Sequence, residues 1–258
     1  MTITTALKRP LLVVGGVGAG TGNGAAAAKL FAKAGYDVAL VARGRDSLKK
    51  LADEINTHPN SKGQATPFPA TSYSHNSFQD IFRSIWSHYP QEQSVFRVGI
   101  YNIGYATFKP FLEGTPEELR TSLEVNVEAA WSFSREVVTK LLENKENELF
   151  HDEGGTIEGG KGTLIFTGAT AALRGNRMTS IMSASKGANR NLSQSLAKEF
   201  GPQGVHVAHA IIDGRIQGQY SDTGLDPNSI ARAYLNLARQ ERTAWTWELD
   251  LRPATEQW

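Results

Sequence analysis

Glycine recurs at nearly every second position in a stretch near the start of the chain. Residues 15–24 read GGVGAGTGNG; they follow the apolar run Leu11 to Val17 and lead into an alanine-rich helical pattern. Glycines let a backbone turn sharply and approach a diphosphate without a Cβ clash, and the first turn of a helix offers free N–H groups to it. Because the stretch lies between a predicted strand and a predicted helix, it indicates a dinucleotide site rather than an ordinary tight turn.

The next apolar run ends in the residues Val41-Ala42-Arg43-Gly44-Arg45. Proteins that prefer NAD place a carboxylate here to accept a hydrogen bond from the ribose 2′-OH. This chain has Ala42 and Arg43 instead, and a guanidinium can hold a 2′-phosphate through charge-assisted hydrogen bonds, each worth about 1.5–3 kcal/mol. The pattern therefore predicts NADP(H) as the cofactor, with Arg43 selecting it. The alternative is that Arg43 and Arg45 are solvated surface charges.

Apolar runs alternate with helical patterns along the chain, which predicts repeated β-α-β units. Strands that are apolar on both faces are typical of a parallel sheet, and right-handed crossovers then give a doubly wound α/β fold of the Rossmann type with helices on both faces. The predicted strands are 11–17, 37–42, 162–167, 205–212 and 245–251, with one more within 94–103. The predicted helices are 23–34, 46–55, 77–88, 117–143, 180–200 and 230–240, the fourth with a bend that the pattern does not place.

We predict one domain, residues 1–258, with two segments outside the regular elements. Residues 144–161 are acidic and glycine-rich without periodicity, which predicts a flexible surface loop. Residues 214–227 are polar and contain Gly218 and Gly224, which predicts a mobile substrate lid.

The bulk composition excludes several kinds of site. The net charge is +1, which gives no electrostatic case for binding nucleic acid or acidic membranes. The chain has no Cys, which excludes disulfides, thiolate metal sites and a Cys nucleophile, and its six His lack metal-ligand spacing, so we expect no metal. Neither a signal peptide nor an apolar run of about 20 residues is found. We expect a cytoplasmic protein whose partners are a small-molecule substrate and its own copies.

Several motifs resemble one family over nearly the whole chain. The stretch from Gly18 to Gly24 is similar to TGxxxGxG, with Val17 at the usual Thr, and Tyr101-Asn102-Ile103-Gly104 is similar to an NNAG turn. These motifs resemble those of the short-chain dehydrogenase/reductase family. The resemblance implies a dinucleotide site formed by Gly18, Gly20, Thr21, Gly22, Asn23, Gly24, Arg43, Asn102, Gly104, Lys186 and Gly214.

The same resemblance implies roles around the nicotinamide. Asn126 occupies the place of a helical Asn that supports a proton-relay water, and Lys186 that of a Lys that holds the nicotinamide ribose. Asp213-Gly214 replaces a Pro-Gly pair. It further implies a homodimer or homotetramer whose contacts involve the helices of 117–143 and 180–200.

Two departures from the family pattern concern proton transfer. The family's acid/base is a Tyr four residues before the Lys, where this chain has Met182, and its Ser lies thirteen residues earlier, where this chain has Ala169. A thioether and a methyl group neither donate nor accept a proton. A positioned general acid is worth about 10²–10⁴-fold in rate, so the loss bears on function.

Three interpretations follow. Another group supplies the proton, with Tyr105, Asp213, Thr167, Thr170 and Ser183 as candidates. Tyr105 is alternatively a pocket wall, and Asp213 is alternatively a turn or helix-cap residue. Secondly, the substrate is an iminium ion that needs no proton donor, as in similar fungal indole-alkaloid enzymes that reduce an iminium and then shape a cycloaddition. Thirdly, the fold binds a dinucleotide without redox turnover.

The sequence thus favours an NADPH-dependent oxidoreductase that reduces a C=O or C=N bond with a nonstandard proton relay. A bifunctional reductase/cyclase of secondary metabolism and a non-redox dinucleotide-binding protein are the alternatives. The candidate catalytic residues are Asn126, Lys186, Asp213 and Tyr105. On the substrate side, the loop that contains Arg174 and Arg177 could hold an anionic or carbonyl group, or simply expose two charges.

Overall fold

The computed structural model describes residues 8–145, 150–152, 155–157, 160–217 and 223–256. Its strands are β1 Arg9–Gly15, β2 Asp37–Ala42, β3 Ala65–Pro69, β4 Ser94–Tyr101, β5 Phe150–Asp152, β6 Gly155–Ile157, β7 Gly162–Thr167, β8 Val205–Ile212 and β9 Glu248–Leu251. Seven of them form one parallel sheet in the order β3-β2-β1-β4-β7-β8-β9. The strand order reverses between β1 and β4, and in such sheets the crevice at this point receives the ligand.

The α-helices described are α1 Asn23–Lys33, α2 Arg45–Thr57, α3 His75–His88, α4 Pro116–Leu123, α5 Ala129–Leu142, α6 Ser180–Phe200 and α7 Pro227–Ala238. A π-helical turn, Glu124–Glu128, joins α4 to α5. Single 3-10 turns cover Phe111–Glu113, Thr170–Ala172 and Arg242–Ala244. Within the described residues, none of the helices has both the length and the apolar character needed to cross a bilayer.

The two faces of the sheet bury separate apolar layers. Alternate residues of β1 point to opposite sides: Leu12 and Val14 pack with α1, α2 and α7, whereas Leu11 and Val13 pack with α3, α5 and part of α6. Because β1, β2 and β4 are covered on both sides, their sequences are apolar almost throughout, as parallel strands require.

An aromatic cluster fixes α5 against the sheet. The Phe133 ring is fully buried, and its centroid lies 5.8 Å from Phe78, 5.3 Å from Phe82 and 5.5 Å from Tyr101. Aromatic pairs at these separations stabilise a core beyond the area they bury. The Phe133 ring also comes close to Gly15, where an added Cβ would lie 3.2 Å from it. The core on this face therefore supports the end of β1.

The predicted doubly wound parallel α/β class is confirmed. The bend in the helical region 117–143 is the π-helical turn at 124–128. Strand β3 was not predicted, because Pro67 and Pro69 interrupt the strand pattern; prolines are tolerated here since β3 is an edge strand. The last predicted strand, 245–251, is shorter than expected, because its pairing with β8 starts only at Glu248, opposite His209.

Two predictions fall partly outside the described residues. Of the loop predicted at 144–161, residues 146–149, 153–154 and 158–159 lie outside them, and β5 pairs antiparallel with β6. Of the lid predicted at 214–227, residues 218–222 lie outside them; on either side, Gln217 N donates to Leu225 O at 2.9 Å.

We expect Phe133→Ala to lower the free energy of unfolding by about 3–5 kcal/mol, because the deleted ring leaves a cavity between α3, α5 and β4. Urea unfolding followed by circular dichroism measures this change. Arg135→Ala, an exposed change on the same helix, is the control and should cost less than about 0.5 kcal/mol. Equal losses in the two variants would show that this cluster does not hold α5.

Candidate active site and cofactor cleft

The glycine turn, residues 15–24, has a backbone that side chains would strain. It leaves β1 at Gly15 and reaches α1 through Gly22, the N-cap residue. Gly16, Gly18 and Gly20 have φ of +90°, +57° and +92°. These values lie in the left-handed region that glycine adopts at little cost. The turn is therefore specified by its glycines.

Two of these glycines let backbone segments meet at van der Waals contact. A Cβ on Gly16 would lie 2.6 Å from the backbone nitrogen of Ile103, and one on Gly24 would lie 2.3 Å from the carbonyl oxygen of Gly16. Asn102 Nδ2 donates to that same oxygen at 2.6 Å, and Asn102 N donates to Gly15 O at 2.8 Å. Asn102 thus ties the end of β4 to the glycine turn, so its amide supports the turn from below.

The outer side of the glycine turn is open and fits a diphosphate. A Cβ built on Gly18, Gly20 or Gly22 would meet nothing within 4 Å. The first turn of α1 carries no acidic side chain, and its start presents N–H groups and the positive end of the helix dipole. Asn23 is buried and its Oδ1 has no hydrogen-bond partner among the described residues, while the neighbouring Thr21 is exposed. These features are compatible with a bound dinucleotide.

The exposed side chain of Arg43 lies just beyond β2. Its guanidinium carbon is 4.9 Å from the centroid of the Tyr73 ring, a cation–π distance. β2 ends at Ala42, and Gly44 caps α2, so no carboxylate occupies the strand end itself. The Tyr73 ring therefore supports a cation at the position where a ribose 2′ substituent is recognised in this fold class.

Asn126 joins three elements from within the π-helical turn. It is fully buried; its Nδ2 donates to Tyr105 O at 2.8 Å and to Ser185 Oγ at 2.9 Å, and its Oδ1 accepts from Tyr105 N at 3.1 Å. A π-helical turn leaves backbone groups free to bond elsewhere, and Asn189 Nδ2 donates to Asn126 O at 2.7 Å. Asn126 therefore holds the backbone after β4 against α6.

Lys186 lies buried beside Asn126. Its Nζ donates to Thr167 O at 3.0 Å, at the end of β7. A Cβ on Gly104 would lie 3.7 Å from both Lys186 Nζ and Asn126 Oδ1, so the two side chains flank Gly104. Burial lowers the pKa of Lys186 to about 8. The structure brings together the two polar groups that the sequence retains.

The sequence did not reveal a second group of ionisable residues, His209, Glu248 and Arg190, which is close enough for the charge of Lys186 to act on His209. His209 of β8 is fully buried with Nδ1 3.2 Å from Glu248 Oε2, and Arg190 binds both Glu248 oxygens at 2.5 and 2.8 Å. Burial lowers the pKa of His209 to about 4, and the charge of Lys186 acts in the same direction. A Cβ on Gly168 would lie 2.4 Å from His209 Nε2, so this histidine also requires a glycine beside Ala169.

Ala169 and Met182 line a cleft of about 500 Å³ at the carboxyl ends of β7 and β8. Phe108, Ile212 and Arg174 contribute further walls. The cleft therefore presents a methyl group and a thioether at the two positions where the sequence resemblance implies hydroxyls. The Tyr105 side chain, half-buried, packs against the apolar layer of α3 and α5 and is absent from the residues that line this cleft.

Asp213 also lines the cleft, with its carboxylate engaged by three neighbours. It is buried; Thr170 Oγ1 donates to Oδ1, and the guanidiniums of Arg174 and Arg252 each lie 3.6 Å from Oδ2. The adjacent Gly214 has φ +154° and contacts the segment after β9. The carboxylate thus joins parts of the chain that are distant in sequence.

Comparison with known proteins gives consistent matches. The sequence model of a family described as short chain dehydrogenase matches residues 12–221. An uncharacterized oxidoreductase of Escherichia coli, YciK, is 24% identical over 71% of this chain and 66% of its own length. The matches to the first three curated relatives span between 40% and 66% of their lengths.

Solved structures match over almost the full length. The crystal structure of a short-chain dehydrogenase from Rhodopseudomonas palustris has a TM-score of 0.74 at 29% identity and covers 95% of this chain and 98% of that one. An alcohol dehydrogenase from the archaeon Thermococcus sibiricus, complexed with 5-hydroxy-NADP, has a TM-score of 0.78 at 21% identity over 97% and 98% of the two chains. At 21% identity, the match to the alcohol dehydrogenase shows a shared fold alone.

The buried ammonium of Lys186 makes stability depend on pH. Because the pKa of Lys186 is about 8 in the folded protein and 10.5 in the free side chain, the unfolded chain binds the extra proton between these values. The free energy of unfolding should therefore rise with pH across this window. We expect Lys186→Met to stabilise the protein by about 2 kcal/mol at pH 7, and by much less at pH 10.

Chemical unfolding at the two pH values measures this difference, with the exposed Lys50→Met as the control. If Lys186→Met lowered the free energy of unfolding by the same amount at both pH values, this result would contradict a desolvated ammonium at position 186.

Proposed function

This chain belongs to the short-chain dehydrogenase/reductase family of oxidoreductases, and on that premise we propose that it is an NADPH-dependent reductase of a small-molecule C=O or C=N bond with a nonstandard proton relay. The observation that carries the proposal is the glycine turn: its inner side has no room for side chains, and its outer side is open beside the start of α1. The proposed binding residues are Gly18, Gly20, Thr21, Gly22, Asn23, Gly24, Arg43, Asn102, Gly104, Lys186 and Gly214.

The preference for NADPH rests on Arg43. Its guanidinium stacks on Tyr73 and is exposed to a ligand, so a 2′-phosphate could receive charge-assisted hydrogen bonds from it. The solved structures of an archaeal alcohol dehydrogenase and of a metagenomic short-chain oxidoreductase contain NADP-type ligands, which supports this preference by analogy.

When bound, NADPH supplies a hydride, and the residues of this chain bind, orient and exclude water. Asn126 fixes the backbone of Tyr105 beside Gly104, and Lys186 presents a cation there. The apolar side chains of Ala169, Met182 and Ile212 keep water away from part of the cleft. These roles orient a substrate without providing a general acid in the usual place.

The missing hydroxyls favour a substrate that needs no proton at the reacting atom. Reduction of an iminium ion gives a neutral amine directly, whereas reduction of a ketone leaves an alkoxide that must be protonated. Asp213 is a weak candidate for the missing acid because Thr170, Arg174 and Arg252 already engage its carboxylate. Tyr105 is packed in part against the apolar layer of α3 and α5, which limits its freedom to reach a substrate. We therefore place the iminium ion ahead of the ketone as the substrate class.

A dinucleotide-binding protein without redox turnover is the second candidate. The presence of Ala169 and Met182 in the cleft favours it, because they remove the acid while the glycine turn remains intact. The same cleft is compatible with a reductase that also shapes a later cyclisation.

We further propose a cytoplasmic homodimer or homotetramer that uses the α4–α5 surface, where Leu123 and Trp131 are exposed.

Replacement of Arg43 should separate the two cofactors. We expect Arg43→Ala to weaken NADPH binding by about 10–100-fold, through the loss of charge-assisted bonds to the 2′-phosphate, and to change NADH binding by less than about threefold. Fluorescence titration with each nucleotide measures the two affinities. Lys50→Ala on the exposed side of α2 is the control. Equal weakening of both cofactors, or tighter binding of NADH by the native chain, would contradict this role.

Restoring the acid tests the proposed chemistry. With saturating NADPH, the native chain should oxidise it at 340 nm in the presence of cyclic iminium ions and turn over ketones slowly. Met182→Tyr should raise kcat for ketones by about 10²-fold or more, since it places a phenol one helical turn before Lys186. Met182→Phe is the matched control, because it adds the ring without the hydroxyl.

Binding of NADPH without turnover of aldehydes, ketones or iminium ions, in both the native chain and Met182→Tyr, would support the non-redox candidate and overturn the reductase proposal.

A further inference from the structure

The substrate cleft has one wall from a part of the chain far away in sequence. Besides the residues after β7 and β8, it is lined by Glu256, in the C-terminal segment 252–256 that follows the edge strand β9. This segment crosses from the sheet edge to the carboxyl end of β8, where Asp213 N donates to Leu251 O at 2.8 Å. The segment thus contributes a side chain to the lining of the cleft.

Side chains from three separate segments around the cleft contact the carboxylate of Asp213. Its Oδ1 accepts from Thr170, which follows β7, and its Oδ2 lies 3.6 Å from Arg174 of the next loop and 3.6 Å from Arg252 of the C-terminal segment. Arg252 also pairs with Asp250 at the end of β9. Removal of any one partner of this buried carboxylate would destabilise the protein, because the remaining charges would be poorly compensated.

Backbone packing adds a second contact between the same parts. A Cβ on Gly214 would lie 2.8 Å from Pro253 Cδ and 3.6 Å from Glu256 Oε2. Pro253 is buried, and Gly214 has φ +154°. The C-terminal segment therefore rests directly on Gly214, immediately after the carboxylate that binds Arg252.

We infer that the C-terminal segment 252–256 is a wall of the substrate cleft that limits what enters, and that Asp213 is the positioning residue that holds it there. The inference rests on the proposed function, because it concerns the same cleft. It assigns Asp213 a role through Arg252 and the segment, in place of direct proton donation. The segment contributes Glu256 to the same cleft that Phe108 and Met182 line.

The anchoring is tested without any substrate by hydrogen exchange. In Asp213→Asn and in Arg252→Gln, backbone amides of the segment 252–256 should exchange at least about tenfold faster than in the native chain. The double variant should show little further change, since both substitutions break the same contact. Arg232→Gln, on the exposed side of α7, is the matched control. Unchanged exchange in Asp213→Asn would overturn the inference.

The wall is tested by labelling, which the chain makes simple because it contains no cysteine. Glu256→Cys, modified with a bulky maleimide, should lose turnover at least about tenfold relative to its own unmodified form, while NADPH binding by fluorescence stays within about twofold. Arg232→Cys with the same label is the control. Turnover that survives the label at position 256 would show that the segment is no part of the cleft.

Kinetics distinguish positioning from proton donation. With the best substrate found in the NADPH assays, Asp213→Asn should raise KM at least about fivefold and leave the pH profile of kcat unshifted. A large loss of kcat with unchanged KM would make Asp213 the acid and overturn the inference. If no substrate is turned over while NADPH binds and the two variants exchange faster, the proposed reductase function fails and the anchoring by Asp213 stands. If turnover is found and exchange is unchanged in the variants, the anchoring fails and the reductase function stands.

Discussion

Three backbone segments meet at the glycine turn without room for a side chain, and this close approach is the constraint on which the rest of the structure depends. The end of β1, the start of α1 and the residue after β4 converge where Asn102 Nδ2 donates to Gly16 O. Since β1 and β4 are the central strands at which the strand order reverses, this contact fixes both halves of the sheet relative to the crevice. The aromatic cluster around Phe133 supports the contact from below.

By the sequence resemblance, Ala169 and Met182 stand in the cleft where the family's Ser and Tyr are expected, beside the polar residues Asn126 and Lys186. Asn126 and Lys186 retain partners on α6, β7 and the turn after β4, so the positions of Ala169 and Met182 lie in an ordered cleft. The buried His209 and its partly buried partner Glu248, which Arg190 also binds, show the same order. The proposed ribose contact of Lys186 would serve an altered reductase and a non-redox binding protein alike, so turnover assays distinguish the two.

The sequence predicted what depends on local pattern and missed what depends on distant partners. Strand and helix periodicity, together with glycine spacing, gave the fold class and the glycine turn, because each is written in neighbouring residues. The bend near Asn126 could not be placed, since a π-helical turn has no local signature and depends on Asn189 of another helix. The environment of His209 was hidden for the same reason: Glu248 and Arg190 approach it only when β8, β9 and α6 pack together. The sequence offered Asp213 as a proton donor or as a turn or cap residue, and its ion pairs with Arg174 and Arg252 exist only in the folded chain.

We propose that the glycine turn, held by Asn102, binds the diphosphate of NADPH. Isothermal titration calorimetry of the native chain and of Asn102→Ala with NADPH tests it most directly. We expect one NADPH bound per native chain, and binding at least about tenfold weaker in the variant, whose glycine turn has lost the hydrogen bond of Asn102. Absence of binding to the native chain, or equal binding to both proteins, would contradict it.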